Sequence, residues 1–239
     1  MTTYFISDLH LCEQQPHITR SFINFCQQQA RDARALYILG DLFEYWLGDD
    51  ALDSTAQTVQ KQLKSLSDSG VDIAFMAGNR DFLVGPDYAE QCGMSLLSEP
   101  TTIDLYGQTV LLVHGDAQCT DDQAYQAVRK QLRNLQWQQQ FLAQSIDERV
   151  AFAEQARMKS QEHTSQSDMV IMDVNEDAIQ ALFNDHQVDT MIHGHTHRPA
   201  EHALSEQRER IVLADWRPQR CEYLRIEGSG FSRHRIPSA

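Results

Sequence analysis

Short apolar runs alternate with longer polar segments along the chain. Six of these runs, most of them followed by Gly, Asp or His, predict buried strands. They cover residues 4–7, 35–39, 71–76, 109–113, 189–192 and 211–213. Polar segments with apolar positions at helical spacing predict helices over residues 18–31, 55–69 and 175–186. The alternation of strands and helices predicts an α/β (α+β) fold.

Residues 120–166 differ from the rest of the chain. They are rich in Gln, Ala and Arg and contain no cluster of β-branched residues. This composition predicts two or three helices and no strand. We interpret the segment as a helical cap inserted into a single domain of residues 1–239.

Two sets of apolar residues in this insertion allow different interpretations. On one continuous helix, four of them would form a stripe that packs on the domain core, namely Tyr125, Val128, Leu132 and Leu135. Trp137 and Phe141 would then point away from that stripe and could contact acyl chains or a membrane surface. A helix break would instead return Trp137 and Phe141 to the core. The sequence leaves both alternatives open.

Composition excludes several classes of function. The 239 residues carry a net charge of −14, which argues against non-specific nucleic-acid binding, because such binding depends on Lys and Arg that neutralise phosphates. The five cysteines are widely separated and indicate reduced thiols. The sequence contains no signal peptide and no apolar stretch of about 18 residues. We therefore expect a protein that stays inside the cell and does not cross the membrane.

Five short motifs with metal-binding side chains follow the predicted strands. They are Asp8-Leu9-His10, Gly40-Asp41, Gly78-Asn79-Arg80-Asp81, His114-Gly115-Asp116 and Gly194-His195-Thr196-His197. Side chains at strand ends meet at one edge of a sheet, and residues two apart on an extended segment point to the same side. The glycines beside the polar residues fit tight turns or close approach to an ion. Any one motif alone is explained by a solvated loop, but all five in this order predict a metal site.

Seven of these side chains are enough to hold two metal ions. The predicted ligands are Asp8, His10, Asp41, Asn79, His114, His195 and His197. Imidazole, carboxylate and amide donors without a thiolate favour Mn²⁺, Fe or Zn²⁺ over Ca²⁺, and we expect two Mn²⁺ per chain. Because only two of the ligands are anionic, the loaded site would be positive and would attract a phosphate group. We expect Asp81 and Asp116 to support the ligands rather than to bind metal.

These motifs, in this order, resemble the calcineurin-like metallophosphoesterase superfamily. Longer stretches, above all residues 37–50, 78–83 and 192–199, resemble the UDP-2,3-diacylglucosamine pyrophosphatase family of bacterial lipid A biosynthesis. The resemblance covers nearly the whole chain and implies a two-sheet αββα sandwich with a helical cap. It also implies Mn²⁺-dependent hydrolysis of UDP-2,3-diacylglucosamine to 2,3-diacylglucosamine 1-phosphate and UMP. Peripheral attachment to the cytoplasmic side of the inner membrane is a further implication.

The resemblance implies a role for each site residue. One manganese would be held by Asp8, His10, Asp41 and His197, and the other by Asp41, Asn79, His114 and His195, with Asp41 as the bridge. The implied catalytic residues are Asp41, Asn79, Arg80, His114 and His195. The implied substrate contacts are Asn79, Arg80, Asp122, Ser160, Thr164, Ser167 and His195. Thr164 and Ser167 replace the Asn and Lys of the family pattern, and Lys159 or Arg157 would compensate for the lost cation.

Arg80 distinguishes this chain from the many superfamily members that place a proton-donating His after the Asn. An Arg side chain does not give up a proton at useful pH. The sequence therefore favours cleavage of a pyrophosphate, whose phosphate leaving group needs no protonation, over cleavage of a phosphomonoester. We interpret Arg80 as a clamp on the phosphates, and the alternative is a surface ion pair with Asp81.

Two other functions compete with this interpretation. A hydrolase of soluble nucleotides, such as dinucleoside polyphosphates or cyclic nucleotides, would use the same metal site but would need no apolar cap. A non-catalytic scaffold of the same fold would have lost metal ligands, whereas all seven positions are filled by residues that can coordinate.

Overall fold

A computed structural model describes residues 2–166, 173–228 and 230–236, without the side chains of residues 159–166. The strands in this part of the chain are Thr2–Ile6 (β1), Ala35–Leu39 (β2), Asp72–Met76 (β3), Met94–Leu97 (β4), Thr101–Leu105 (β5), Gln108–Leu112 (β6), Thr190–His193 (β7), Ala200–Ala203 (β8), Glu209–Val212 (β9), Glu222–Glu227 (β10) and Gly230–Arg235 (β11). The α-helices are Pro16–Gln28 (α1), Ser54–Asp68 (α2), Pro86–Cys92 (α3), Gln123–Leu132 (α4), Leu135–Leu142 (α5), Ile146–Gln166 (α6) and Glu176–His186 (α7).

The strands form two sheets. The first has the order β11-β10-β1-β2-β3-β4, in which β1 to β4 are parallel to one another. The second has the order β5-β6-β7-β9-β8, in which β6, β7 and β9 are parallel. Antiparallel strands lie on the outer sides, at β10 and β11 in the first sheet and at β5 and β8 in the second. Parallel strands end at the same edge, so the loops after β1, β2 and β3 are neighbours, as are those after β6 and β7.

Three apolar clusters define a helix–sheet–sheet–helix sandwich. The first lies between the first sheet and α1, α2 and α3, and includes Phe22. Alternate residues of β1 face opposite sides of that sheet, because Tyr4 and Ile6 join this cluster while Phe5 joins the cluster between the two sheets. The third cluster packs α7 on the outer face of the second sheet through Phe183. The predicted fold class, a two-sheet αββα sandwich, is confirmed.

The apolar pattern predicted six strands and missed the five in which half-buried or exposed positions recur along the strand. Those missed are β4, β5, β8, β10 and β11, together with the short helix α3. The predicted helices occur with ends shifted by a few residues, so α1 ends at Gln28 and α2 at Asp68. Residues 123–166 contain three helices, α4 to α6.

The predicted apolar stripe along one continuous helix is wrong. The helix breaks between α4 and α5, where the Asn134 side chain begins α5 by accepting a hydrogen bond from the backbone N–H of Trp137. Val128 is 51% and Leu135 is 73% exposed, so these two members of the predicted stripe do not pack on the domain core. The break also turns Phe141 into the core, with Trp137 packed against the same cluster. Of the two alternatives for Trp137 and Phe141, the structure shows the helix break.

The buried side chain of Arg149 links α6 to the loop after β2. The Arg149 side chain is only 2% exposed. Its Nη1 donates to the carbonyl oxygen of Leu47 at 2.6 Å and to Asp50 Oδ1 at 2.7 Å, and its Nη2 donates to Asp50 Oδ2 at 2.6 Å. This bidentate pair joins α6 to the loop that follows β2. None of the described helices combines the length and apolarity needed to cross a bilayer.

Candidate metal centre

Loops after five strands bring the seven predicted ligands together. In the first sheet, the loop after β1 carries Asp8 and His10, the loop after β2 carries Asp41, and the loop after β3 carries Asn79. In the second sheet, the loop after β6 carries His114, and the loop after β7 carries His195 and His197. Histidines and carboxylates from these loops form two groups, each with ligand atoms within 4.8 Å of one another. The sandwich thus joins the carboxyl ends of strands from both sheets.

The first group contains Asp8, His10 and His197. Asp8 Oδ1 lies 3.4 Å from His197 Nε2, and the Nε2 atoms of the two histidines are 3.3 Å apart. Two lone pairs repel at this distance unless a proton or a cation lies between them. This convergence of imidazole nitrogens on a buried carboxylate fits a metal ion.

The second group contains Asp41, His114 and His195. Asn79 belongs with it, because its Oδ1 lies 3.1 Å from His114 Nε2 and 2.9 Å from His195 Nδ1. His114 Nδ1 lies 2.8 Å from the carbonyl oxygen of Leu39, which can only accept. This contact places the ring proton on Nδ1 and leaves the Nε2 lone pair for a metal.

Asp41 connects the two groups. Its Oδ2 lies 3.9 Å from His10 Nε2, and its Oδ1 lies 3.7 Å from His114 Nε2. The side chain is 2% exposed, and Oδ1 accepts a further hydrogen bond from the backbone N–H of Arg80 at 2.8 Å. One carboxylate oxygen therefore faces each group, as a bridging ligand requires.

Unfavourable backbone conformations are concentrated at the predicted ligands. Five of the seven have φ between 51° and 66°, a region that residues other than Gly seldom adopt, and they are Asp8, His10, Asp41, His195 and His197. Each such conformation costs on the order of 1 kcal/mol and persists only where the surrounding structure fixes it. The fold therefore gives up stability to aim these five side chains.

Two glycines allow the loops to approach one another. A Cβ atom at Gly78 would overlap the Asp41 carboxylate and its backbone nitrogen, and one at Gly194 would overlap Asp8 Oδ2 and Ser7. Any larger residue would have to displace the carboxylate. These contacts are the close backbone approach that the sequence predicted beside Asn79 and His195.

The electrostatics of the centre call for cations. Asp8 is 0% exposed and Asp41 is 2% exposed. Burial opposes protonation of His114, but Asp41 and Asp116 outweigh it and raise the pKa of His114 to about 9. Burial and the neighbouring His114 lower the pKa of His195 to about 4. The carboxylates therefore favour positive charge at the centre, which two divalent ions would supply.

Two carboxylates behind the histidines were not predicted. Glu44 Oε2 lies 3.2 Å from His10 Nδ1, and Asp215 Oδ2 lies 3.8 Å from His197 Nδ1. A carboxylate at the far ring nitrogen fixes the tautomer and the orientation of a ligating histidine. The closeness of Glu44 to Asp41 in the sequence was an available signal, whereas no motif surrounds Asp215.

Asp81 and Asp116 make supporting contacts. Asp81 accepts hydrogen bonds from four backbone N–H groups in the loops after β2 and β3. Asp116 pairs with Arg129 and accepts from the Tyr125 hydroxyl at 2.7 Å. The Tyr125 ring stacks on His195 with centroids 6.0 Å apart. The helix α4 is thereby tied to the second ligand group.

The predicted substrate contacts have varied surroundings. Arg80 forms no ion pair with any residue whose side chain is described, and Asp81 is occupied by backbone N–H groups, so the alternative Arg80–Asp81 pair is absent. Asp122 is buried and begins α4 by accepting from the Tyr125 N–H at 2.9 Å. Arg157 Nε lies 3.3 Å from Glu44 Oε1, next to the first group.

The remaining predicted contacts fall where side chains are not described. They are Ser160, Thr164 and Ser167, and the compensating Lys159 also falls there. Their assignments stay predictions.

Comparison with known proteins identifies the family. The calcineurin-like phosphoesterase family model matches residues 1–199. The chain therefore belongs to the calcineurin-like phosphoesterases. It is 50% identical over 242 residues to a UDP-2,3-diacylglucosamine hydrolase of Stenotrophomonas maltophilia (strain K279a), covering 97% of each chain. It is 47% identical over 230 residues to a UDP-2,3-diacylglucosamine hydrolase of Chromohalobacter salexigens, covering 95% of this chain and 94% of the relative.

A solved structure shares this fold. A dimetal phosphatase from Danio rerio superposes with a TM-score of 0.56 at 14% identity, covering 100% of this chain and 99% of that one. Family membership, together with the two ligand groups, makes the protein a hydrolase with a site for two metals.

Proposed function

We propose that this phosphoesterase hydrolyses the pyrophosphate bond of UDP-2,3-diacylglucosamine to UMP and 2,3-diacylglucosamine 1-phosphate, in lipid A biosynthesis, with two Mn²⁺ ions. The observation that carries the proposal is near-complete similarity, at about half identical residues, to relatives named UDP-2,3-diacylglucosamine hydrolase. The shared position of Asp41 between two ligand groups supports it. All seven predicted ligands take part in these groups or contact them.

The donor set suits manganese, because it combines imidazole with carboxylate and amide oxygen and contains no thiolate. When bound, two such cations lower the pKa of water and neutralise charge that develops on the phosphate. The chain supplies their geometry. Asp41 holds the groups together, Glu44 orients His10, and the Leu39 carbonyl orients His114.

Arg80 is the residue we assign to the phosphates. It follows Asn79 directly, its backbone N–H is bonded to Asp41, and its side chain makes no ion pair with a described residue. A guanidinium in this position can bind two oxygens of a pyrophosphate at once and balance the charge of the departing phosphate. No proton has to be delivered to that leaving group.

The helices α4 to α6 provide apolar surface for a lipid. Nine large apolar residues among those described are exposed, and seven of them lie in these three helices. A cavity of about 370 Å³ also opens between the start of α6 and residues 43–56, and its lining combines Leu11, Trp46 and Val150 with Asp50 and Asp53. A soluble nucleotide needs no such surface, whereas acyl chains and a membrane interface do. We therefore propose peripheral attachment to the cytoplasmic side of the inner membrane.

The proposal is tested by incubating the purified protein with UDP-2,3-diacylglucosamine and Mn²⁺. We expect UMP and the lipid phosphate in equal amounts, and no activity in Asp41→Ala or His114→Ala variants that remain folded. Release of orthophosphate, or no turnover, would reject the substrate. Faster hydrolysis of dinucleoside polyphosphates or cyclic nucleotides would favour the soluble-nucleotide alternative, and failure to bind any metal would favour a scaffold.

A further inference from the structure

A second cavity lies beside the candidate metal centre and has a volume of about 330 Å³. We call it the arginine pocket, after Arg198, Arg210 and Arg220, and it is also lined by Thr196, His202 and Asp173. In the sequence, Thr196 lies between His195 and His197, the two predicted ligands in the loop after β7. The arginine pocket is therefore next to the candidate metal centre, because the same segment of backbone lines the pocket and carries two histidines of the centre.

The arginine pocket has an excess of positive charge. Arg198 pairs with Asp173, and Arg220 pairs with Asp215, which also pairs with Arg217. Three arginines and one aspartate line the cavity, in a chain whose net charge is −14. A local concentration of guanidinium groups in an acidic protein indicates an anionic ligand.

Arg210 lies within electrostatic reach of two carboxylates, Asp173 and Glu176, but is not ion-paired to either. Among the described residues it forms no ion pair, and its Nη1 donates to His193 Nε2 at 3.0 Å. A guanidinium can only donate, so His193 accepts through Nε2 and its ring is neutral. The Nδ1 atom of His193 lies 2.8 Å from the carbonyl oxygen of Gly194, in keeping with a proton there. His193 thus orients Arg210 without neutralising it.

Two polar atoms of the lining are buried without a hydrogen-bond partner in the described part of the chain. They are the Thr196 hydroxyl oxygen and Arg220 Nε. A buried polar group that lacks a partner costs free energy, which a bound ligand or water would recover. Both groups can donate, and donors beside guanidinium groups match the oxygens of a phosphate ester.

The two cavities suit the two ends of the proposed substrate. The cavity beside α6 includes Leu11, next to the predicted ligand His10, and the arginine pocket includes Thr196 and Arg198, which flank His197. A volume of about 330 Å³ lies at the lower limit of the roughly 300–1,000 Å³ usual for small-molecule sites. Such a volume fits a nucleotide better than a pair of acyl chains.

We propose that the arginine pocket binds the nucleoside monophosphate end of the substrate, with Arg210 as a specificity-determining residue. This inference rests on the proposed function. In this arrangement the pyrophosphate lies over the metal centre, the uridine monophosphate extends past Thr196 into the arginine pocket, and the acyl sugar extends toward α6.

The test compares wild-type protein with Arg210→Gln, both loaded with Mn²⁺, by calorimetric titration with UMP, with orthophosphate and with 2,3-diacylglucosamine 1-phosphate. Loss of a charge-assisted contact predicts UMP binding weaker by about tenfold or more in Arg210→Gln. It also predicts a KM for UDP-2,3-diacylglucosamine raised by a similar factor. Binding of the lipid product should stay within about twofold of wild type.

Arg208→Gln is the matched control, because Arg208 contacts Gln180 and Phe183 outside the pocket and carries the same charge. Arg210→Lys, which keeps the charge, should recover part of the UMP affinity, and metal content and thermal unfolding show whether each variant is intact. Unchanged UMP affinity in Arg210→Gln, or an equal loss for the lipid product, would overturn the inference. Orthophosphate bound as tightly as UMP would also overturn it, by showing an anion site without nucleoside recognition.

Failure of the inference can be told apart from failure of the proposed function. If wild-type protein releases UMP from the substrate but Arg210→Gln binds UMP normally, the hydrolase assignment stands and the arginine pocket has another use. If wild-type protein releases no UMP, the hydrolase assignment fails. UMP binding that Arg210→Gln weakens would then still identify a nucleotide pocket.

Discussion

Replacing Glu44 by Gln removes one negative charge from behind His10 and leaves the size of the side chain unchanged. Glu44 Oε2 lies 3.2 Å from His10 Nδ1, and the side chain is only 14% exposed, so solvent does not replace the lost charge. Loss of such a partner weakens metal binding by about 10- to 100-fold. Because the Gln amide oxygen can still accept from Nδ1, we expect about tenfold for Glu44→Gln and about 100-fold for Glu44→Ala.

The assay titrates Mn²⁺ into chelator-treated protein and follows both bound metal and UMP release. The half-saturating Mn²⁺ concentration should rise by the stated factors, while kcat at saturating Mn²⁺ should stay within about twofold of wild type. Glu90→Gln is the control, because Glu90 is exposed on α3. An unchanged Mn²⁺ requirement would refute the orienting role, and a loss of kcat that excess Mn²⁺ does not restore would point to direct contact with substrate.

Three further predictions concern packing, stability and membrane contact. Gly78→Ala should slow UMP release by about 100-fold, because its Cβ would displace the Asp41 carboxylate, and near-normal rates would contradict this. Arg149→Met should lower the free energy of unfolding in urea by about 1–2 kcal/mol. The hydrogen bond from Arg149 lowers the pKa of Asp50. The difference in unfolding free energy between wild type and Arg149→Met should therefore be complete above the usual Asp pKa of 3.8 and shrink as the pH falls below it. A difference independent of pH would disprove the pairing. Leu135→Ser, at a residue 73% exposed, should weaken sedimentation with anionic lipid vesicles without changing the Tm, and equal sedimentation would argue against contact there.

Sequence reasoning identified the part of the fold that is buried on both sides. Strand β2 is a central parallel strand and is buried along most of its length. Such strands are continuous apolar runs, so they can be recognised from their own sequence. The strand β11 exposes or half-exposes every residue, and its pairing with β10 supplies the stability that its sequence does not signal. Edge strands of this kind are fixed by their neighbours rather than by their own pattern.

The helix break in the cap is a second feature that the sequence pattern did not predict. A continuous helix would align Val128 with Leu135, but Asn134 offers its side chain as a cap and starts a new helix. The new direction brings Phe141 and Trp137 against Phe152 and the core. Periodicity alone did not choose between these alternatives because it assumes a helix without a break.

The ligands of the candidate site and two of its supporting carboxylates, Asp81 and Asp116, could be predicted from the sequence, whereas the carboxylates behind His10 and His197 could not. Asp8, His10 and Asp41 stand in recognisable motifs, but their positive φ angles follow from the loops that meet around them. Glu44 and Asp215 act through other residues, and an isolated carboxylate in a sequence carries no signal of what lies behind it.

The Mn²⁺ content of the purified protein after equilibrium dialysis tests most directly whether the two ligand groups hold a pair of ions joined by Asp41. We expect two Mn²⁺ per chain in the wild type and at most one in Asp41→Ala, with Asp87→Ala, at an exposed residue of α3, retaining two. One Mn²⁺ or none in the wild type, or two retained by Asp41→Ala, would contradict a bridged dimetal centre.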